Sequence, residues 1–159
     1  MSGVLRTIAA LVLLAVAALA LGACGGDDDR EAKNAYVRQV NAAQNEFAQT
    51  VTTVSERITD KSSSSEDRKT LQQFQTAIAD VVTDLRDIKI PAAVKAEHAQ
   101  LVKAMSGFGA QIEKATLALR NPDSRTIAEA QRTIQSATQT VNVRIDAAIA
   151  AINSKLDQT

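Results

Sequence analysis

Apolar residues recur every three or four positions along four stretches of the chain, residues 30–60, 66–89, 92–120 and 124–157. This spacing is typical of one face of an α-helix. In the second and third stretches the steps of three and four alternate without a break, which is the period of a coiled-coil seam. The positions that the pattern predicts to be buried are Tyr36, Val40, Ala43, Phe47, Val51, Val54 and Ile58; Leu71, Phe74, Ile78, Val81, Leu85 and Ile88; Val94, His98, Leu101, Met105, Phe108, Ile112, Ala115 and Leu119; and Ile127, Ala130, Ile134, Ala137, Val141, Ile145, Ala148, Ile152 and Leu156.

Polar and helix-breaking residues separate these stretches and indicate where the helices start. Ser63 followed by Glu66 matches a capping box, and Pro91 suits the first turn of a helix. Either Asp123 or Ser124 can cap the last helix. Short connections make successive helices antiparallel neighbours. The sequence therefore predicts an all-α, up-down-up-down four-helix bundle with coiled-coil-like packing, and a kink at Pro91 would give three long helices instead.

Three phenylalanines lie near the middle of the first three predicted helices. Because the middles of antiparallel helices meet, we expect Phe47, Phe74 and Phe108 to share one layer of the core. The fourth helix offers the small Ala137 and Val141 at that level. A row of aromatic residues at helical spacing indicates core packing rather than a cofactor site.

The first 23 residues have the layout of a secretory signal peptide. Arg6 provides a basic start, residues 8–21 are uncharged and almost wholly Ala, Val and Leu, and small residues follow. The apolar run is short for a membrane-spanning helix, which needs about 20 residues. We therefore predict that residues 1–23 are removed and that the mature protein is extracytoplasmic.

The end of this segment, residues 21–24, reads Leu-Gly-Ala-Cys and resembles a bacterial lipobox. The resemblance implies cleavage between Ala23 and Cys24 and a diacylglyceryl group on the Cys24 sulfur, so that the protein is anchored to the cell membrane and labelled by palmitate. The alternative is an uncleaved anchor with an incidental cysteine. Residues 24–29 add two glycines and three aspartates, a composition typical of a flexible acidic tether rather than a calcium loop, and residues 30–159 form the predicted domain.

Composition excludes several classes of function. Lys plus Arg and Asp plus Glu each number 18, so there is no basic excess for binding nucleic acid. The chain has one histidine and one cysteine, too few for a zinc site, a c-type haem site or a di-metal carboxylate bundle. We predict a non-enzyme without a metal or cofactor, apart from the lipid on Cys24.

Gly107 and Gly109 stand in the centre of the third predicted helix, where each lowers stability by about 1 kcal/mol relative to alanine. They do not form a phosphate loop, because no strand precedes them and no Lys-Ser/Thr pair follows. Two interpretations remain open. The glycines either allow close approach of a neighbouring helix or subunit, or they form a kink or groove where a ligand or partner docks.

His98 is the only polar residue among the predicted seam positions of the second and third helices. It is either a ligand or pH-sensitive group, or a structural residue that donates to a carbonyl of the preceding connection, around Ile88 to Ile90. One histidine without companions makes a poor metal site, so we favour the structural role, in which a lone polar seam residue fixes helix register.

The chain from Cys24 onward resembles small actinobacterial lipoproteins of uncharacterised function, which share a lipobox, a polar tether and a helical domain with Pro-Ala and then a histidine on the third helix. Here these residues are Pro91, Ala92 and His98. The resemblance implies an envelope location and no particular activity. We expect a non-catalytic protein-interaction or scaffold module whose partner is an envelope protein. A small-ligand binding or sensing bundle, with its pocket near Gly107 to Gly109, is the alternative.

Overall fold

Four α-helices and one short 3₁₀-helix make up the part of the chain that the computed structural model describes, residues 27–57, 64–118, 120 and 123–158. No strand occurs among these residues. The predicted all-α class with four helices is confirmed, and the alternative of three long helices is wrong because a break separates the second helix from the third. In chain order the elements are α1 (Asp27–Arg57), α2 (Ser64–Asp87), the 3₁₀-helix (Ala92–Val94), α3 (Lys95–Ala118) and α4 (Ser124–Asp157).

The predicted seams form the hydrophobic core. Every seam position whose side chain is described is buried, because each helix places one apolar stripe against its neighbours and removes it from water. The remaining seam positions lie outside the described side chains; they are Val51, Val54, Ile58, Leu119 and Ile127.

The first helix begins at Asp27, three residues before the predicted domain boundary. The run of aspartates at 27–29 is therefore helical and not part of an extended tether. Acidic residues are favoured in the first turn of a helix, where the unpaired amide groups carry partial positive charge. Residues 1–26, which include the predicted signal peptide and Cys24, lie outside the described part of the chain.

The connection from α2 to α3 follows from its proline. Pro91 has extended backbone angles and precedes the 3₁₀-helix, whose Val94 N–H donates to the Pro91 carbonyl over 3.1 Å. Val94 is fully buried. The proline thus ends the non-helical segment after α2 and starts the turn that runs directly into α3, as expected for a residue with fixed φ and no amide donor.

The start of α4 is capped by Asp123, one of the two predicted capping residues. Its carboxylate accepts from the Thr126 N–H over 2.7 Å, and the Thr126 hydroxyl accepts from the Asp123 N–H over 2.8 Å. These hydrogen bonds hold the pKa of the Asp123 carboxyl below its usual range. The corresponding box predicted at Ser63 lies outside the described residues.

Consecutive helices pack against each other, and the most extensive of these interfaces joins α3 to α4. The predicted aromatic layer is confirmed. The rings of Phe47 and Phe74 stack with their centroids 6.0 Å apart, and Phe74 meets Phe108 edge to face at 5.9 Å. These contacts link α1, α2 and α3 at one level of the molecule.

Candidate functional site

The single histidine lies in a buried polar junction of three helices. His98, at the end of the first turn of α3, is 1 % exposed. Its Nδ1 is 3.0 Å from the hydroxyl of Tyr36 on α1, and its Nε2 is 2.8 Å from the carbonyl oxygen of Leu85 on α2. The Tyr36 and His98 rings also meet edge to face, with centroids 5.6 Å apart. We call Tyr36, Leu85 and His98 the polar junction.

The chemistry of the acceptor assigns the proton on the imidazole. A carbonyl oxygen can only accept, so Nε2 carries the hydrogen and donates to Leu85. In the neutral ring Nδ1 then accepts from the Tyr36 hydroxyl. Leu85 lies in the last turn of α2, where carbonyls lack a partner within the helix. His98 therefore donates to a carbonyl near the end of α2, and its predicted role as a structural donor fits this contact. The predicted acceptor is wrong, because the carbonyl belongs to Leu85 and not to residues 88–90.

Tyr36 is the partner that sequence reasoning missed. Burial, with a smaller contribution from the negative charge of Glu97, raises the pKa of the Tyr36 hydroxyl well above its usual range. The hydroxyl is therefore a neutral donor at physiological pH. Both ring nitrogens of His98 and the Tyr36 hydroxyl have partners inside the fold, so the junction has the character of a structural network.

The two glycines of α3 have different surroundings. A Cβ atom placed on Gly109 would lie 3.0 Å from Cγ2 of the buried Ile78 on α2, whereas a Cβ on Gly107 would meet no atom within 4 Å. The two interpretations of this pair therefore apply to one residue each. Gly109 permits close packing of α3 on α2, and Gly107 borders open space.

That open space is a groove between α3 and α4 with a volume of about 490 Å³. Ala104, Phe108, Ala137 and Val141 supply an apolar floor. An arginine lies toward each end of the α4 side, Arg132 and Arg144, and polar uncharged side chains lie between them. We call this feature the α3–α4 groove, and its polar lining residues are Gln111, Arg132, Thr133, Ser136, Thr140 and Arg144.

The threonines in this groove differ from those in the rest of the helices. Eight described threonines donate their hydroxyl to the carbonyl four residues earlier, as is usual within a helix. Thr133 and Thr140 make no such bond with any residue of the described ranges. Their hydroxyls are therefore available to an occupant of the groove. The eight that do bond backward are Thr50, Thr52, Thr53, Thr70, Thr76, Thr83, Thr116 and Thr138.

The two arginines of the groove make few hydrogen bonds or ion pairs with the described residues. Arg144 has no carboxylate within ion-pair distance in the part of the chain that the structure describes. The Nε of Arg132 donates to the Ala128 carbonyl over 3.3 Å. This bond leaves the two terminal nitrogens of that guanidinium available.

The α1–α2 side of the molecule is lined by carboxylates instead. Two shallow depressions of about 240 and 300 Å³ lie between α1 and α2. Their lining includes no lysine or arginine and four carboxylates: Glu46, Asp80, Asp84 and Asp87. Across the described ranges, no three Asp, Glu, His or Cys side chains come together in a way that could hold a metal ion.

One buried polar atom lacks a partner. The hydroxyl oxygen of Ser106 is shielded from solvent and makes no hydrogen bond to the described residues. Ser106 precedes Gly107 in the sequence but does not line the α3–α4 groove. An unsatisfied hydroxyl of this kind lowers stability. Ser106 is therefore not counted among the residues of the candidate site.

The lipidation site predicted at Cys24, with cleavage after Ala23, lies outside the described residues. No helix in the described ranges has the length and hydropathy needed to cross a membrane. Comparison with protein-family models, with curated proteins and with solved structures gives no match. Because its polar side chains have few partners among the described residues, the α3–α4 groove is the candidate site. It includes Gly107 but neither Gly109 nor His98.

Proposed function

We propose that the chain is a non-catalytic lipoprotein anchored to the extracytoplasmic face of a bacterial cell membrane, and that its helical domain binds an envelope protein through the α3–α4 groove. The lipobox-like residues 21–24 and the preceding apolar segment support the anchor. The resemblance to small actinobacterial lipoproteins, which is itself part of this proposal, implies the same location. The observation that carries the binding role is the groove itself, whose polar lining has few internal partners.

We also propose the up-down-up-down arrangement of the bundle. Two sets of contacts support it. Tyr36, in the first third of α1, meets His98 near the start of α3 and beside Leu85 near the end of α2. The phenylalanine layer joins the same helices at another level. This order of contacts fits α1 and α3 running in one direction and α2 in the other, and the short link from α3 to the cap at Asp123 fits an antiparallel α4.

Binding of a small ligand in the same groove is the second candidate. Its volume of about 490 Å³ falls within the range of small-molecule sites, about 300 to 1,000 Å³. Apolar floor and polar rim together are also typical of such sites. Among the described residues, the large apolar side chains that are exposed are Leu117 and Val143. Neither belongs to the groove, so the groove is the better candidate for binding of either kind.

The anchor is tested by replacing its acceptor. Cys24→Ser should abolish labelling by palmitate and release the protein from the membrane, because a lipid anchor contributes about 0.8 kcal/mol per buried CH₂ and two acyl chains give stable attachment. Arg38→Gln, on the exposed surface of α1, is the control and should label like the parent. Labelling of the Cys24→Ser protein would show that the lipobox interpretation is wrong.

The binding role is tested by crosslinking in the cell from two matched positions. A photoreactive amino acid at position 107 reports on the α3–α4 groove, and the same amino acid at position 80 reports on the acidic side; both positions are exposed. We expect a discrete protein product from position 107 that is absent from position 80. Equal products from both positions, or no product from position 107, would contradict a docking role for the groove.

A further inference from the structure

We propose that the α3–α4 groove binds an extended peptide segment that carries an acidic residue at each end. This inference rests on the proposed binding function and names the chemistry of the occupant. It follows from three features of the groove: the position of its charges, the character of the groups between them and the shape of its floor.

The charges set the length and sign of the occupant. Arg132 and Arg144 are twelve residues apart on one helix, which is about 18 Å along the axis at about 1.5 Å per residue. An extended peptide covers that distance with about six residues at about 3.3 Å each. Because guanidinium groups bind carboxylates with paired hydrogen bonds, an acidic residue near each end of such a segment meets one arginine.

The middle of the groove is polar but uncharged. Gln111, Thr133, Ser136 and Thr140 offer both donors and acceptors, and backbone amides of a peptide present both donors and acceptors in return. A polyphosphate or sulfated chain carries negative charge along its whole length and presents acceptors only. The lining has no cation between the two arginines, so a segment with a neutral centre and acidic ends fits the groove better.

The floor favours small or apolar side chains on the inward face of the segment. Gly107 adds no side chain above the floor, and Phe108 and Val141 present apolar surface beneath. Successive side chains of an extended peptide point to opposite sides. Alternate residues therefore pack on this floor while the others face water.

Two lysines on α3 add to the positive potential around the groove. Lys103 and Lys114 are four residues before and seven residues after Gly107, so they lie on the same face of α3. On α4, Glu129 lies one turn before Arg132 and is paired with Arg125 over 3.0 Å. The depressions on the α1–α2 side, which are lined by carboxylates, repel the same peptide.

The test uses the full-length chain in detergent and a fluorescent six-residue peptide with aspartate at both ends and alanine and threonine between. We expect saturable binding that weakens as sodium chloride rises, because exposed charges are screened. Replacing both arginines (Arg132→Gln with Arg144→Gln) should weaken binding at least tenfold. Arg38→Gln, which removes an exposed arginine elsewhere, should leave it unchanged.

A second variant blocks the groove without altering its charge. Gly107→Leu places a side chain in the open space while keeping both arginines, and it should also weaken binding at least tenfold. A peptide with lysine at both ends should not bind. The proposal is wrong if the acid-ended peptide fails to bind at millimolar concentration, if the lysine-ended peptide binds as well, or if inorganic polyphosphate binds the groove more tightly than the peptide.

The two proposals fail in different ways. If crosslinking from position 107 captures a discrete partner while the acid-ended peptide does not bind, the chemistry of the occupant is wrong and the binding function stands. If position 107 captures nothing, the groove is not the docking surface in the cell, whatever the peptide does in solution.

Discussion

The polar junction and the α3–α4 groove are two polar regions on the same helix, and they use their hydrogen-bonding groups in opposite ways. At the junction, His98 and Tyr36 are each 1 % exposed, and both imidazole nitrogens bond to groups on other helices. In the groove, the hydroxyls of Thr133 and Thr140 make no bonds to described residues. The guanidinium of Arg144 has no described carboxylate partner.

This difference separates groups that hold the fold from groups that can bind something else. A buried polar group left without a partner lowers stability by about 1 to 3 kcal/mol, so a complete junction stabilises the fold. Groove groups are solvated and need no internal partner. The same reasoning assigns Gly109, packed on Ile78, to the fold and Gly107, beside open space, to the groove.

The largest expected effect comes from breaking the junction. His98→Ala should lower the free energy of unfolding by about 1 to 3 kcal/mol. The substitution leaves the Tyr36 hydroxyl and the Leu85 carbonyl without this hydrogen-bond partner, and it also removes packing. Chemical denaturation measures the change, and Gln100→Ala, on the exposed face of α3, is the control. An alanine variant as stable as the parent but unable to bind the groove peptide would make His98 part of the site.

Alkaline titration tests the polar junction in a second way, through the ionisation of Tyr36. The pKa of Tyr36 is raised in the folded state above its ordinary value of 10.0. Its neutral hydroxyl therefore stabilises the fold below pH 10, and this contribution is lost as pH rises, by about 1.4 kcal/mol per pH unit until the folded-state pKa is reached. Tyr36→Phe should remove this component of the pH dependence.

The titration can be followed directly, because Tyr36 is the only tyrosine and the chain has no tryptophan. Ultraviolet absorbance of the ionised phenol should remain low in the folded protein above pH 10 and appear together with unfolding. Ionisation near pH 10 with the helices intact would show that the hydroxyl is not held in the junction.

The two glycines of α3 give a smaller effect, which we expect to be more favourable at position 107 than at position 109. Gly107→Ala should stabilise the chain by about 0.5 to 1 kcal/mol, because it improves helix propensity and meets no atom within 4 Å. Gly109→Ala gains the same propensity but presses on Ile78, so it should stabilise less or destabilise. Thermal unfolding of the two variants measures the difference, and equal stabilisation of both would contradict the assignment of Gly109 to packing.

The smallest expected effect tests the groove hydroxyls. Replacing both groove threonines (Thr133→Val with Thr140→Val) should change the free energy of unfolding by less than about 0.5 kcal/mol, because neither hydroxyl has a partner in the described fold. Binding of the acid-ended peptide should weaken by about 0.5 to 1.5 kcal/mol for each hydrogen bond lost. Thr83→Val, on the exposed surface of α2, is the matched control and should leave binding unchanged.

Periodicity was sufficient to predict the helices, their core residues and the phenylalanine layer. Each of these depends on spacing along one helix, which the sequence contains. The role of His98 as a donor near the second connection could also be inferred, since a lone polar residue on a buried seam requires a partner. The start of α1 was placed three residues late because three aspartates suit both a tether and a first helical turn.

Features that depend on how helices meet could not be predicted. Tyr36 and His98 are 62 residues apart, and their contact requires the axial register of α1 against α3. Gly107 and Gly109 differ by about 200° around one helix, so the sequence could not tell which of them faces α2. The polar residues of α4 at 132, 133, 136, 140 and 144 share a helical face, a signal that points to a common edge but not to a groove.

The central claim is that the junction holds the fold and the groove binds, and one measurement tests both halves. Denaturant unfolding of the parent, His98→Ala and Gly107→Leu is recorded with and without saturating acid-ended peptide, because a ligand that binds only the folded state raises its stability. We predict that His98→Ala starts less stable and gains the full peptide increment, while Gly107→Leu keeps at least the parent's stability and gains none. Loss of the increment in His98→Ala with unchanged stability, or a full increment in Gly107→Leu, would contradict the account.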